Sequence, residues 1–247
     1  MSRPPLVLLH GWGLTPSVWQ PLRAQLDPAW PCFTPVLPGH ADTAPTPENA
    51  TLAAWTDALV AGLPDGALVC GWSLGALVAL DLARRYPAKV ERIALIGASP
   101  CFVQRSDWPS ALSTEVVNGF CADFAAEPDK TQRRFVALQA LGDAARREVT
   151  RQLNAALVAV TPENAARLAD GLAILAQTDL RDSLAGISCP VRLLHGANDA
   201  LMPADAARLM AESLPDARYS EFADAGHAPF LSRTADCACL LDSFAND

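Results

Sequence analysis

No apolar run in this chain is long enough to cross a bilayer, and the opening stretch, Arg3 followed by the apolar residues 6–9, is too short for a signal peptide. A membrane or exported protein is therefore not expected, and the cytoplasm is the default compartment. No Cys-x-x-Cys pair occurs among the seven cysteines (Cys32, Cys70, Cys101, Cys121, Cys189, Cys237, Cys239), which are odd in number and scattered. That argues against both a disulfide framework and a zinc site. Positive charge is short too: 19 Lys and Arg stand against 27 Asp and Glu, a net charge of −8 that disfavours nucleic acid as a partner. Histidines number only four, so chemistry that needs an imidazole has few candidates. With 51% hydrophobic and 19% charged residues, the 247 residues suffice for one large core, or a core carrying an insertion. There is no internal repeat and no low-complexity tract.

What is present centres on residues 67–80. An apolar run reads as a buried strand, breaks at Gly71-Trp72-Ser73-Leu74-Gly75, and resumes as an apolar segment that suits a packed helix. Gly-x-Ser-x-Gly between strand and helix is a nucleophile elbow. The tight turn projects the Ser73 hydroxyl from the sheet edge, and the flanking glycines avoid collision with neighbouring backbone. The helix starts just after Ser73, so its free N–H groups face the place where an oxyanion would form.

The remaining order follows from periodicity. Residues 6–13 read as a strand entering a glycine turn, with Thr15-Pro16-Ser17 capping a short helix through Leu26. A second strand is expected over 32–37, a Pro- and Thr-rich loop over 42–49, and a helix over 52–63. The elbow helix runs to Tyr86, and a strand follows over 92–97. From 105 to about 181 only helical patterns occur, punctuated by Pro109, Pro128 and Pro162. Strand and helix then alternate again: 190–195, 204–214, 217–222 and a closing helix over 231–244. Such alternation predicts an α/β fold with a mostly parallel sheet flanked by helices. The core is expected at 1–100 and 185–247, with 101–184 as an inserted helical lid.

A serine hydroxyl needs a base, and the base needs an orienting acid. His10, at a strand end beside the glycine turn, reads as a structural or oxyanion-loop residue. His40 reads as loop packing and His195 as a packed strand residue. His227, in Asp224-Ala225-Gly226-His227-Ala228-Pro229-Phe230, follows the last strand and precedes the last helix, which makes it the expected base. Asp199 lies just past the preceding strand and is the expected acid, while Asp224, only three residues from His227, reads as a loop-former. The order Ser73, Asp199, His227 is that of α/β-hydrolases. The backbone amides of Trp12 and Leu74 are the expected oxyanion hole. No metal or organic cofactor is required by this chemistry.

The resemblance extends further. His10-Gly11-Trp12-Gly13-Leu14, Gly71-Trp72-Ser73-Leu74-Gly75, Ser99-Pro100-Cys101-Phe102, Trp108-Pro109, Phe135-Val136-Ala137-Leu138-Gln139, Gly171-Leu172-Ala173-Ile174-Leu175, Thr178-Asp179-Leu180-Arg181 and His227-Ala228-Pro229-Phe230 resemble the pimeloyl-acyl-carrier-protein methyl ester esterases of biotin synthesis. The lid pieces are the specific ones, since the core motifs are shared by many hydrolases. That family removes the methyl ester from a pimeloyl chain, releases methanol and ends elongation. The resemblance implies a Ser73, Asp199 and His227 triad. It also implies substrate contacts from Trp12, Ser73, Leu74, Phe135, Val136, Ala137, Leu138, Gln139 and His227. Two departures stand out: the chain starts almost directly at Leu6, so the antiparallel strands that usually precede this one are expected to be missing or reduced, and Ala76 stands where a further glycine is common.

The lid holds six basic and three acidic residues between Asp129 and Arg151, a local balance of +3 in an acidic protein. Lys130/Arg134 and Arg147/Arg151 are i,i+4 pairs that each share a helix face. On residues alone this reads as a solvated face with intrahelical pairs to Glu148. The resemblance implies instead that Lys130, Arg134, Arg147 and Arg151 dock an acyl-carrier protein, with lysine at one position where arginine is familiar. Trp108, Phe120, Phe124 and Phe135 are candidates for an acyl channel or for simple lid core. A monomer is expected. Two alternatives stay open: a general short-chain carboxylesterase, and a hydrolase-fold ligand-binding protein with little turnover.

Overall fold

The computed structural model describes residues 3–41, 47 and 49–247, so the loop expected over 42–49 lies largely outside the described residues. Six strands, β1 (Leu6–Leu9), β2 (Cys32–Phe33), β3 (Ala67–Trp72), β4 (Val90–Ile96), β5 (Val191–Gly196) and β6 (Ala217–Phe222), form one sheet in the order β2-β1-β3-β4-β5-β6. Every pairing is parallel. The central strands are apolar at successive positions because both faces are covered. Leu6 and Leu8 enter one buried cluster while Val7 and Leu9 enter the other; Cys70 and Ile96 likewise oppose Val69 and Leu95.

Helices α1 (Gln20–Arg23), α2 (Leu52–Val60) and α3 (Leu74–Arg85) connect the first strands. Four more, α4 (Thr114–Ala126), α5 (Pro128–Gln139), α6 (Arg146–Ala155) and α7 (Pro162–Gln177), lie between β4 and β5, followed by a 3-10 turn at Arg181–Gly186. A bridge between Cys101 and Asp179, with the Leu180 amide donating to Pro100 O at 2.9 Å, ties the two ends of this helical insertion together. Helices α8 (Ala204–Ser213), α9 (Pro229–Ser232) and α10 (Thr234–Asn246) complete the chain.

Three elements differ from expectation. The strand expected over 32–37 stops at Phe33, because Pro35 has no N–H for a ladder and the Leu37 amide donates instead to His10 Nε2 at 3.0 Å. The helix expected through Leu26 is a 3-10 turn at Pro16–Trp19 running into the four-residue α1. Thr15 does not cap it; its hydroxyl bonds Ser17 Oγ at 2.6 Å. The closing helix is broken at Arg233, whose backbone (φ −118°, ψ 44°) is not helical and whose guanidinium bridges Asp224 and Asp236.

The elbow depends on Gly71 and Gly75. A Cβ at Gly71 would overlap the Gly75 carbonyl, and one at Gly75 would overlap the carbonyls of Leu9 and His10. Backbone cannot swing aside as a side chain can. Gly75→Ala is accordingly expected to cost more than about 2 kcal/mol of stability, measured by urea denaturation. A midpoint equal to the wild type would contradict this packing.

Candidate active site

Ser73 joins β3 to α3 with φ 55° and ψ −117°, the only positive φ at a non-glycine among the described residues. Such a conformation is strained for a side chain bearing a Cβ, and the packing of β3, α3 and β1 over-determines it. Its amide donates to Ile96 O at 3.1 Å, which holds the turn over the end of β4. Across that strand end lies His227: a Cβ on Gly97 would come within 3.0 Å of its Nδ1, and the indole of Trp72 donates to its carbonyl at 2.9 Å.

His227 and Asp199 are both buried, and Nδ1 of the imidazole lies 2.7 Å from Asp199 Oδ2. A carboxylate only accepts, so Nδ1 carries the proton and Nε2 presents a lone pair. Nε2 is buried with no hydrogen-bond partner among the described residues. The other carboxylate oxygen, Oδ1, accepts the amides of Leu201 and Met202, each at 2.9 Å, which fixes the acid's orientation. Burial pushes the Asp199 carboxyl up, but His227, its hydrogen bond, His195 and the Met202 amide outweigh that and hold it below the ordinary value. Asp224, by contrast, is ion-paired with Arg233 on the surface at 3.0 Å.

The turn after β1 is braced by two buried imidazoles. His10 Nε2 accepts the Leu37 amide at 3.0 Å, and His40 Nε2 accepts the Gly13 amide at 2.9 Å. Their Nδ1 atoms lie 2.9 Å from Gly11 O and 2.8 Å from Pro38 O, so both rings are neutral with the proton on Nδ1. This brace sets the backbone of Gly11 and Trp12 against the elbow: a Cβ at Gly11 would sit 3.4 Å from Ser73 Cβ. Neither the Trp12 nor the Leu74 amide has an acceptor among the described residues. The Trp12 indole bonds Leu168 O at 2.7 Å and stacks edge-on with Phe120, Phe124 and Phe135, joining this turn to the lid.

A small pocket of about 40 Å³ lies within the helical insertion, bounded by Phe102, Leu112, Phe120, Phe135, Leu172 and Leu201 among others, all apolar or thiol-bearing. It abuts the site through Phe135, which touches Trp12, and Leu201, whose amide holds Asp199. Of the five residues 135–139, Phe135 and Leu138 line it. Val136 packs away, in the cluster with Leu14, Val149 and Leu153, and Ala137 does not border the cavity. Gln139 is buried with its Oε1 unpartnered among the described residues, and its backbone carbonyl accepts the His227 amide at 3.2 Å. Two aromatics fall elsewhere than on a channel wall. Trp108 packs with Cys101 and Ala206, its indole donating to Cys101 O at 3.1 Å, and Phe124 backs Trp12.

On the exposed side of the lid, Lys130 pairs with Glu127 (2.8 Å), Arg134 with Asp123 (2.6 Å) and Arg151 with Glu148 (2.5 Å). Arg147 is exposed and has no ion-pair partner among the described residues, and the same holds for Arg133 and Arg146. Exposed pairs of this kind contribute little and exchange readily.

Sequence reasoning missed four polar residues around this site. His195 stands 3.4 Å from Asp199 Oδ2, its Nε2 donating to Met202 O at 2.7 Å. His40 braces the Trp12 turn. Asn198 and Asp143 tie a lid turn to the loops of Asp199 and His227. None carries a periodic or motif signal, because each acts through a partner distant in sequence.

A serine in a strained elbow after β3 and, across the end of β4, a buried imidazole bonded to a carboxylate fit a serine-type carboxylic ester hydrolase. Residues 6–238 match the model of the alpha/beta hydrolase family, and the chain belongs to that family. It is 56% identical over 247 residues, 98% of each chain, to the pimeloyl-[acyl-carrier protein] methyl ester esterase of Aromatoleum aromaticum. It is 38% identical to the protein of the same description from Nitrosomonas europaea, over 93% of this chain and 90% of that one. Among solved structures, an esterase from Exiguobacterium antarcticum superposes with a TM-score of 0.85 at 20% identity (100% of this chain, 93% of that one). The enol-lactonase of Burkholderia xenovorans gives 0.82 at 23% (100% and 93%). These two share the fold. No helix among the described residues is long and apolar enough to cross a membrane.

The two bracing imidazoles make stability depend on pH. Burial, together with the neighbouring His40, pushes His10 down to about 3; burial pushes His40 down to about 4. The unfolded chain protonates both near pH 6.5 while the folded chain does not. Their contribution is therefore complete above about pH 6.5 and is lost as the pH falls toward 4, by about 1.4 kcal/mol per pH unit for each ring. Urea denaturation between pH 5 and 6 is expected to show this slope, reduced by one ring's worth in His40→Asn. An unchanged slope in that variant would contradict the assignment.

Proposed function

We propose that this chain hydrolyses the methyl ester of pimeloyl-acyl-carrier protein during biotin synthesis, with Ser73, Asp199 and His227 as the triad. The observation that carries the chemistry is the His227 ring, its Nδ1 proton committed to Asp199 and its Nε2 lone pair buried and unpartnered. The near full-length likeness to esterases of that description supports the substrate. His227 Nε2 takes the Ser73 proton as Oγ attacks the ester carbonyl. The amides of Trp12 and Leu74 stabilise the resulting oxyanion, each such donor being worth ~10²–10³ in rate. His227 passes the proton to the departing methoxide, which leaves as methanol. Water then loses a proton to His227, attacks the acyl-enzyme and frees the carboxylate, and the proton returns to Ser73 Oγ.

The small apolar pocket beside Phe135 suits methylene groups of the acyl chain. Residues 101–184 serve as the lid over the core 1–100 and 185–247. On the lid, Lys130, Arg134, Arg147 and Arg151 offer an acidic carrier an exposed cationic face whose internal ion pairs are weak. Seven free cysteines fit the reducing cytoplasm.

Two measurements test this reading. Ser73→Ala is expected to lose turnover by several orders of magnitude while still binding ester; full retention of turnover would refute the role of Ser73. Hydrolysis of the carrier-bound methyl ester is expected to show a higher kcat/KM than the free ester at low salt. That advantage is expected to vanish in moderate salt and in Arg147→Glu/Arg151→Glu. Equal rates for both esters, indifferent to salt, would leave a general short-chain carboxylesterase.

A further inference from the structure

The turn between α5 and α6 reaches out of the lid and into the loops that carry the acid and the base. Its centre is Asp143, a 6% exposed carboxylate. Oδ1 accepts the Ala145 amide of its own turn at 2.8 Å. Oδ2 accepts the Gly226 amide at 3.0 Å and the Ser232 hydroxyl at 2.7 Å. Gly226 immediately precedes His227, and Ser232 lies in the short helix that follows it, so one carboxylate oxygen ties both flanks of the base. Around it, Gln139 O accepts the His227 amide at 3.2 Å and the Ala144 amide donates to Asp224 O at 2.9 Å.

The acid's loop meets the same turn. The Asn198 side-chain amide donates to Gly142 O and to Ala223 O, each at 3.1 Å, and its backbone amide donates to Ala225 O at 3.0 Å. Gly142, at φ 81°, packs so closely that a Cβ there would come within 2.7 Å of Asn198 Cβ. A Cβ on Gly226 would come within 2.9 Å of Leu141 O and 3.4 Å of Asp143 Cβ. The lid turn, the Asn198–Asp199 loop and the Gly226–His227 loop thus form one hydrogen-bonded unit, and Asp143 is the side chain that gathers the most donors in it.

We propose that Asp143 is a positioning residue for the general base: by holding the Gly226 amide and the Ser232 hydroxyl, it sets the His227 ring against Asp199 and Ser73. A buried carboxylate satisfied by three donors from three segments is costly to disturb, since any donor released stays buried and unpaired. Replacing it with an amide forces an N–H against one of those donors. The loop then relaxes, and a displacement of the imidazole well under 1 Å suffices to lengthen its line to the serine. The proposal rests on His227 acting as the base.

The test uses Asp143→Asn and Ser232→Ala in the full-length protein, assayed on a small soluble aryl ester well below the melting temperature, with His227→Ala alongside. Asp143→Asn is expected to lower kcat by ~10- to 100-fold with KM within about twofold, the signature of a misplaced catalytic group with substrate binding intact. The far-downfield proton resonance of the His227–Asp199 hydrogen bond is expected to broaden or vanish while core methyl resonances stay in place. A solely structural role would lower the melting temperature and leave both kcat and that resonance unchanged, which overturns the proposal. Should Asp143→Asn fail to fold, Ser232→Ala removes one donor and keeps the carboxylate. Its kcat is expected to fall by about three- to tenfold, and wild-type kcat with an unshifted resonance overturns the proposal. If His227→Ala retains turnover, the base itself is misassigned, a failure distinct from that of Asp143.

Discussion

A proton shared between His227 Nδ1 and Asp199 Oδ2 at 2.7 Å determines what the rest of this site can do. It commits one ring nitrogen and leaves the other as a buried lone pair, and in the proposed mechanism it stabilises the charge that the ring gains on taking a proton. Both partners are withdrawn from water, where such a bond is strong and where leaving either group unpaired is costly. The surroundings answer to that demand. Two backbone amides hold the far oxygen of Asp199, and His195 stands on its other side. A lid carbonyl holds the backbone of His227.

The sheet delivers these groups by ending in register. Ser73 follows β3, Asp199 follows β5 and His227 follows β6, all at the carboxyl ends of parallel strands, where an open α/β sheet places its ligands. The elbow's strain is carried by backbone packing between two glycines, so the position of Ser73 is set by the close-packed core. The Trp12 turn is set differently, by neutral histidines whose tautomers are dictated by carbonyl neighbours. Its indole reaches into the lid aromatics, so the insertion is joined to the core by packing at one end and by the Asp143 turn at the other.

The sheet and the helical insertion were legible because their signals are local. Apolar runs 6–9 and 67–72 alternate between two buried clusters, and the pattern turns wholly helical where the insertion begins. Ser73, Asp199 and His227 could be proposed as a triad because each follows a strand, in an order tied to this fold. Where a residue's role depends on a distant partner, the sequence was silent or misleading. Pro35 cut short a strand whose apolar pattern ran on. Trp108 could be channel wall or simple core by sequence, and it packs against Cys101 and Ala206. Arg151 pairs with Glu148 as the residues alone suggested, whereas the acids that match Lys130 and Arg134, Glu127 and Asp123, were not named. Asp143 looked like one more lid charge, because its partners Gly226 and Ser232 lie more than eighty residues away.

The central claim, that the Asp199–His227 pair activates Ser73, is tested most directly by a serine-directed phosphonate ester whose adduct is located by peptide mass spectrometry. Stoichiometric labelling at Ser73 is expected, slowed by about 10³–10⁴-fold in Asp199→Asn, which disturbs the ring's tautomer while keeping the side chain's shape. Labelling at another residue, or at Ser73 with an equal rate in both proteins, would contradict the account.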